Sequence, residues 1–313
     1  MSVKVSIVIP VYNVAPYLSK CMESVCAQTL QDIEIIPVND ASTDDSLKIL
    51  KQFAKNDPRI KIINHRKNTK TAKCRNDGLV AAHGEYVCFL DGDDYLDNDF
   101  CEKLYNLAKK ENADIAKGVT KTFNTDGTIV VATDNEKIIN GGKFYFMGHL
   151  LTGLYNRKRL IEKNKIRFHI DFFCFQIQAV YFANKVVCDN TACYNYVRHE
   201  NSCDSDVFTL EKWVRLNLGH ANFIYDWVNT HDYADDIKKI YLDRAKALYF
   251  YGFDKLAPKD IAQGCKILAK NMAEHYDCGY KTNNQKKLQR VLFRHHPKTT
   301  KFDYLKNRLM ARI

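Results

Sequence analysis

The sequence predicts an α/β protein: a mostly parallel sheet flanked by helices, followed by a helical C-terminal extension. Three observations carry this. Strand-sized apolar runs alternate with stretches of helical spacing through the first hundred residues. Each of those runs ends in a polar turn. From about Leu210 onward the pattern is helical throughout. Alternation of this kind buries parallel strands between two layers of helices.

The elements follow in order. Val5 to Pro10 is a compact β-branched strand. Pro16 to Thr29 has helical spacing, with Leu18, Met22 and Val25 on one face. Ile33 to Val38 is the second strand. Ser42 with Asp45 three residues on reads as a capping box opening a helix that carries Leu47, Leu50 and Phe53. Arg59 to Ile63 is a short third strand, and Thr71 to His83 a helix closed by Gly84. Tyr86 to Leu90 is a continuous apolar strand. Asp97 is expected to cap a helix whose Phe100, Leu104, Leu107 and Ala108 share a face, with Lys109 and Lys110 at its negative end. Asp114 to Phe123 and Thr128 to Ala132 flank the turn Asn124-Thr-Asp-Gly127, a hairpin signal. Asn135 to Gly142 reads as loop and Asn156 to Asn164 as a short basic helix. Trp213, Leu216, Trp227, Ile237, Tyr241 and Leu248 are the candidate core of the helical end.

No apolar run approaches the roughly 18 residues that span a bilayer, and the N-terminus MSVKVSIVIPVYN has no signal-peptide pattern. The eleven cysteines are odd in number and contain no C-x-x-C pair. They read as reduced, mostly buried thiols of a cytoplasmic protein, with no zinc-type spacing. The formal charge of +10 is concentrated at the end: from Lys281 to Ile313 there are ten Lys/Arg against one acid, Asp303. Such a tail suits an anionic partner. Leu288, Val291 and Leu292, then Phe302, Leu305 and Leu309, form apolar stripes among those cations. Helices of this kind lie on anionic membranes, so residues 281–313 are expected to place the chain peripherally on the inner face of the cytoplasmic membrane. No nucleic-acid module is recognisable, so a nucleic-acid partner is not expected.

The polar strand ends are the functional signal: Pro10-Val-Tyr-Asn13, Asn39-Asp-Ala-Ser42, Asn64-His-Arg66 and Asp91-Gly-Asp-Asp94. Ligands of open α/β sheets bind outside the carboxyl ends of the strands, so four such loops converge on one crevice. Asp91, Asp93 and Asp94 repel one another unless a cation neutralises them, and hard divalent ions such as Mg²⁺ or Mn²⁺ prefer carboxylate oxygens. Such an ion, shared with a diphosphate, neutralises charge as a diphosphate ester leaves. Asp91, Asp93 and Glu102 mimic an EF-hand, but Tyr95 and Leu96 stand where that loop needs a ligand and a glycine. Asp40 reads either as a hydrogen-bond acceptor for a nucleobase or ribose or as a turn residue. Arg75 reads either as a phosphate or base partner or as a solvated surface residue. Dinucleotide, P-loop and serine-hydrolase signatures are absent.

VSIVIPVYNVAPYLSKCMESVCAQTLQDIEII, VNDASTDDSLKIL and CRNDGLVAAHGEYVCFLDGDDYLD resemble the family 2 glycosyltransferases of GT-A fold, in order and spacing from about Val3 to Asp97. IRF, FANKV and YNYVRHENS resemble the acceptor half of that family. The resemblance implies a domain over residues 1–205, with a nucleotide-sugar-binding half (1–97) and an acceptor half (98–205), ahead of a helical, basic region (206–313). It implies an inverting transferase with Mg²⁺ or Mn²⁺, taking a nucleotide-sugar donor, usually UDP-linked, to a glycan or lipid-linked acceptor. By the same resemblance Asp40 holds the base, Pro10 and Tyr12 line its pocket, Arg75 helps bind the nucleotide, Asp91, Asp93 and Asp94 form the DXD region, and His199 completes the metal shell. Three departures stand out. Asn39 replaces an Asp, Thr69-Lys-Thr71 replaces a glycine-bearing loop, and the Glu-Asp pair that supplies the base is missing before Phe175-Gln-Ile-Gln-Ala179. Asp171 is the carboxylate left to act as base. The alternative is a catalytically impaired nucleotide-sugar-binding protein.

Overall fold

The computed structural model describes residues 2–132, 152–170, 172–199 and 209–250, with isolated positions from 256 to 271. The chain divides into two compact units, Met1–Ser205 and Asp206–Ile313.

The first unit is one mixed sheet clad by helices. Its strands are β1 (Val5–Val11), β2 (Ile33–Asn39), β3 (Ile63–Asn64), β4 (Tyr86–Phe89), β5 (Tyr95–Leu96), β6 (Ile115–Phe123), β7 (Ile129–Ala132), β8 (Gly153–Asn156) and β9 (Val186–Val197). The spatial order is β3-β2-β1-β4-β8-β6-β9-β5, with β7 on β6. β3, β2, β1 and β4 are mutually parallel, Val5 lying opposite Ile33 on one side and Tyr86 on the other. β8 is antiparallel to both its neighbours, and β9 runs parallel to β6. Between β1 and β4 the chain reverses its direction of travel across the sheet. That switch point is where a crevice opens at the carboxyl ends.

Side-chain alternation sorts the two faces. Val5, Ile7 and Ile9 of β1, Ile33 and Ile35 of β2, and Tyr86 and Cys88 of β4 join one core. It also takes Leu18 and Met22 of α1 (Ala15–Cys26), Leu50 of α2 (Ser46–Asn56), and Phe100 and Leu104 of α4 (Phe100–Lys110). Val8, Ile36, Val38, Val87 and Phe89 join the other core, with Cys74 and Leu79 of α3 (Thr71–Ala81) and Phe172 and Phe175 of α5 (Phe172–Phe182). Each fully buried Val, Ile, Leu or Phe contributes about 1.5–3 kcal/mol, so both faces drive the fold. Gly78 lets α3 close on β1: a Cβ there would lie 2.3 Å from Val8 Cγ1.

Several local expectations change. α2 begins at Ser46, and the Asp44 carboxylate, not Ser42, takes the Ser46 amide at 3.0 Å. Ser42 instead accepts from the Asn13 amide at 3.2 Å. α4 begins at Phe100 after Asp99, because the Asp97 carboxylate is drawn to Asn195 (2.8 Å) and Lys121 (3.2 Å). The third strand shrinks to two residues plus one bridge between Ile60 and Ile35. The β6–β7 hairpin forms, with Gly127 at φ +83° in its turn. The basic segment after β8 is a widened, π-type turn, Arg157–Glu162. The loop expected at Asn135–Gly142 lies outside the described residues.

The second unit is helical where described. α6 (Leu210–Trp213) runs through a π-type stretch, Val214–Leu218, into α7 (Gly219–Thr230), and α8 (Asp235–Phe250) packs on α7. Of its expected core, Trp213 and Tyr241 are buried, while Leu216, Trp227, Ile237 and Leu248 are half-buried. No helix among the described residues is long and apolar enough to cross a membrane.

Candidate active site

β4 is followed by Leu90, whose amide is held by the Val8 carbonyl (3.0 Å), and the chain then turns through Asp91–Asp94, the Asp94 amide returning to the Asp91 carbonyl at 3.1 Å. The three acids leave this turn in different directions. Asp94 points inward, 1% exposed. Its carboxylate accepts from the Tyr194 hydroxyl at 2.6 Å and from the Val197 amide at 2.8 Å. The Asp91 amide donates to the same Tyr194 oxygen at 3.2 Å. Tyr194 of β9 therefore clamps the turn. Asp91 keeps a partly exposed carboxylate, paired with Arg75 of α3 at 2.6 Å. Asp93 Oδ2 lies 3.0 Å from His199 Nε2, and the His199 ring stacks on Tyr17 with centroids 4.3 Å apart.

The electrostatics of the turn are those of crowded, buried carboxylates, a setting that favours a cation. Burial, then the neighbouring Asp91, pushes the Asp93 carboxyl above its ordinary value, although the His199 contact opposes this. Burial, then Asp93 and Asp91, pushes Asp94 up to about 8. Arg75 is 4% exposed. Its guanidinium carbon lies 5.6 Å from the Phe168 ring and 5.7 Å from the Phe172 ring. The buried Nε of Arg75 has no hydrogen-bond partner among the described residues, so one donor is held ready at the edge of the crevice. Asn76, next along α3, grips the Phe168 backbone with both ends of its amide, at 2.8 and 2.9 Å.

Donor chemistry tests whether a divalent cation fits. Asp93 supplies a carboxylate oxygen and His199 an imidazole nitrogen within contact distance of each other, and Asp91 adds negative charge beside them. Mn²⁺ and Mg²⁺ accept such oxygen-rich sets, so the residues fit.

A sequence profile described as glycosyl transferase family 2 matches residues 6–183. The chain belongs to glycosyl transferase family 2. EpsH of Bacillus subtilis (strain 168) is 32% identical to this family 2 chain over 214 residues, 63% of the chain and 62% of EpsH. The match thus spans less than two thirds of that relative. Among solved structures, S. aureus TarS 1-349 in complex with UDP-GlcNAc superposes with a TM-score of 0.72 at 20% identity, covering 87% of this chain and 82% of that one. The mannosyltransferase PcManGT from Pyrobaculum calidifontis, in complex with GDP-Man and Mn²⁺, gives a TM-score of 0.57 at 13% identity, covering 98% and 84%. These likenesses give the chain the GT-A fold.

Within this family 2 chain, Asp91, Asp93, Arg75 and His199 come together. Asp94 does not point toward them: its carboxylate is spent on Tyr194 and Val197. The Asp40 carboxylate meets the loop after β3. The residue is 2% exposed. Its oxygens accept the Thr69 amide (2.8 Å) and hydroxyl (2.9 Å) and the Lys70 amide (2.8 Å), with His65 Nδ1 at 2.9 Å. Burial raises its pKa, but the bonds from His65, Thr69 and Lys70 together outweigh burial and hold it low. Pro10 is buried within β1 opposite Val38, whereas Tyr12 is 47% exposed at the mouth of the crevice. Asp171 and residues 281–313 lie outside the described residues. Tyr17 and Tyr194 are participants that sequence reasoning passed over. Tyr194 stood inside YNYVRHENS, but only the folded register of β9 brings it to the turn.

Proposed function

We propose that this chain is an inverting glycosyltransferase that moves a sugar from a UDP-sugar to a hydroxyl of a glycan or lipid-linked acceptor in bacterial surface-polysaccharide synthesis. The observation that carries the reading is the juxtaposition of Asp93–His199 with Arg75–Asp91 at the sheet's switch point, with Asp93 raised by burial and then by Asp91. Family membership and the UDP-GlcNAc complex of TarS support the donor class.

Asp93 and His199 would hold Mg²⁺ or Mn²⁺, which when bound neutralises the leaving diphosphate. Arg75, freed from Asp91 or shared with it, faces the diphosphate or base. Tyr17 keeps the His199 ring in plane and Tyr194 fixes the turn that carries Asp93. Tyr12 and Pro10 border the base, and Asp40 acts one step back, fixing the loop through Thr69 and Lys70. Asp171 is the proposed base that takes the acceptor proton. The described residues Phe168 and Phe172 both pack on Arg75. The basic segment 281–313 is proposed to rest on anionic membrane; truncation before Lys281 should release the chain from anionic liposomes.

The decisive experiment is a panel of UDP-, GDP- and CMP-sugars with Mn²⁺, read as metal-dependent hydrolysis and as binding. Hydrolysis of one UDP-sugar, lost in Asp171→Asn, is the expected result. Binding without hydrolysis or transfer would favour the impaired-protein reading that the missing Glu-Asp pair motivates. No donor bound would overturn both.

A further inference from the structure

The loop between β3 and α3 carries positive charge that nothing around it balances. Arg66, Lys67 and Lys70 are all exposed, and none forms an ion pair among the described residues. The acids that reach this stretch are already engaged. The Asp40 carboxylate accepts the Thr69 and Lys70 amides and meets His65, and Asp77 meets His65 and Lys73. Cations at the amino-terminal edge of the sheet are treated differently. Lys4 pairs with Asp32 (3.0 Å), Lys61 with Glu34 (3.0 Å), Lys109 with Glu85 (2.8 Å) and Lys185 with Glu111 (2.7 Å).

Lys70 is also held under strain. Its backbone, at φ 73° and ψ 160°, lies where glycine goes freely and a residue with a Cβ does not. The Lys70 amide donates to Asp40 Oδ2 at 2.8 Å, a bond that a glycine amide would make equally well. The hydrogen bond therefore accounts for the backbone and not for the side chain. What the strain accompanies is an ammonium carried at this place.

The position of the loop gives that charge a use. It follows β3 at the carboxyl-terminal edge, and α3 beyond it carries Arg75, paired with Asp91. β2 and β1 separate β3 from β4, so the loop stands about 14 Å across the sheet from the acidic turn, three strand spacings of about 4.8 Å. That turn gathers the carboxylates of Asp91, Asp93 and Asp94, which repel an approaching diphosphate until a cation is bound. Three cations without acid partners supply the opposite sign on the same edge.

We propose that Arg66, Lys67 and Lys70 form an electrostatic rim that steers the anionic nucleotide-sugar donor into the crevice. The inference rests on the donor reading above and adds to it the route of capture. The rim acts on the encounter and not on the bound complex, so it speeds association and leaves dissociation alone.

The test is stopped-flow mixing of the full chain with N-methylanthraniloyl-UDP at fixed Mn²⁺. Salt is varied from about 0.01 M to about 1 M, where the screening length shortens from about 30 Å to about 3 Å. Wild type is compared with two triple variants. The rim variant carries Arg66→Gln, Lys67→Gln and Lys70→Gln, which keeps a Cβ and the strain at position 70. The control carries Lys158→Gln, Lys163→Gln and Lys165→Gln, three exposed lysines of the segment after β8 whose loss lowers the net charge equally. At low salt the rim variant should associate about 10-fold more slowly than wild type, and the control should stay close to wild type. The gap should close at high salt, with dissociation rates alike throughout. Lys70→Gly alone should slow capture while raising the urea midpoint, which separates a steering charge from a folding defect. Rim and control variants that associate equally would overturn the proposal, as would a deficit that survives high salt or resides in dissociation. Absence of binding by wild type would remove the donor reading and the rim with it, whereas binding at rates blind to these charges would remove the rim alone.

Discussion

The amino-terminal end of the central strands and the acidic turn after β4 treat a buried carboxylate in opposite ways. At the amino-terminal end Glu34, 2% exposed, accepts from Ser6 Oγ (2.6 Å), the His83 amide (2.6 Å) and Lys61 Nζ (3.0 Å). The Ser6 hydroxyl in turn accepts from the Gly84 amide at 2.8 Å. Burial lifts the Glu34 pKa, but the bonds from Ser6, His83 and Lys61 together outweigh it and leave the acid below its ordinary value. In that turn Asp93 is lifted by burial and then by Asp91, and Asp94 by burial and then by Asp93 and Asp91, and too few donors offset this. The first end is closed on itself and stabilises the fold. The second crowds carboxylates whose mutual repulsion a cation from outside would relieve.

Substitution should separate the two ends. Asp93→Asn is expected to lower metal-dependent turnover of the donor by about 100-fold or more, with the urea midpoint unchanged or higher because a repulsion is removed. Glu34→Ala is expected to cost about 3 kcal/mol, since buried donors lose a charged acceptor, with turnover per folded molecule unchanged. Loss of folding in Asp93→Asn, or loss of turnover in folded Glu34→Ala, would erase the distinction. Acid should sharpen it. Glu34 has a folded pKa below its unfolded value of 4.5. Its stabilisation is therefore complete above about pH 4.5 and is lost as pH falls through the folded pKa. Glu34→Gln should flatten the decline in urea midpoint below about pH 5 relative to wild type.

The legible part of the molecule was its periodic part. β1, β2 and β4 are buried on both faces, so they read as unbroken apolar runs. The acidic turn read clearly because three carboxylates in four residues have few structural uses. The partners of those acids did not read. Asp94 reads as a metal-binding acid and Asp97 as a cap in sequence, yet Tyr194, Val197 and Asn195 of β9 claim them from about a hundred residues away. Asp40 reads as a base acceptor or a turn residue, and nothing local marks Thr69 and Lys70 as its donors. Such pairings depend on strand register and loop closure, which no local pattern encodes.

The smallest effect tests where strain is stored. Three of the positive-φ residues follow β1, β2 and β3 at the carboxyl-terminal edge: Asn13 (φ 52°), Ala41 (φ 59°) and Lys70 (φ 73°). Lys70, with ψ 160°, occupies a region that glycine adopts freely and other residues avoid, at a cost of about 1–3 kcal/mol. That torsion aims the Lys70 amide at Asp40 Oδ2, 2.8 Å away. Lys70→Gly keeps the amide in place and removes the steric cost, against about 0.5–1 kcal/mol of added freedom in the unfolded chain. The net gain should be about 1 kcal/mol, and Ala41→Gly should gain less, because the left-handed helical region costs only about 1–2 kcal/mol before the same correction. Lys70→Ala retains a Cβ and the strain, so its urea midpoint should match wild type. Equal gains in Lys70→Gly and Lys70→Ala would locate the cost in the lysine side chain and not in the backbone, and the carboxyl-terminal edge would then differ from the amino-terminal edge in charge alone.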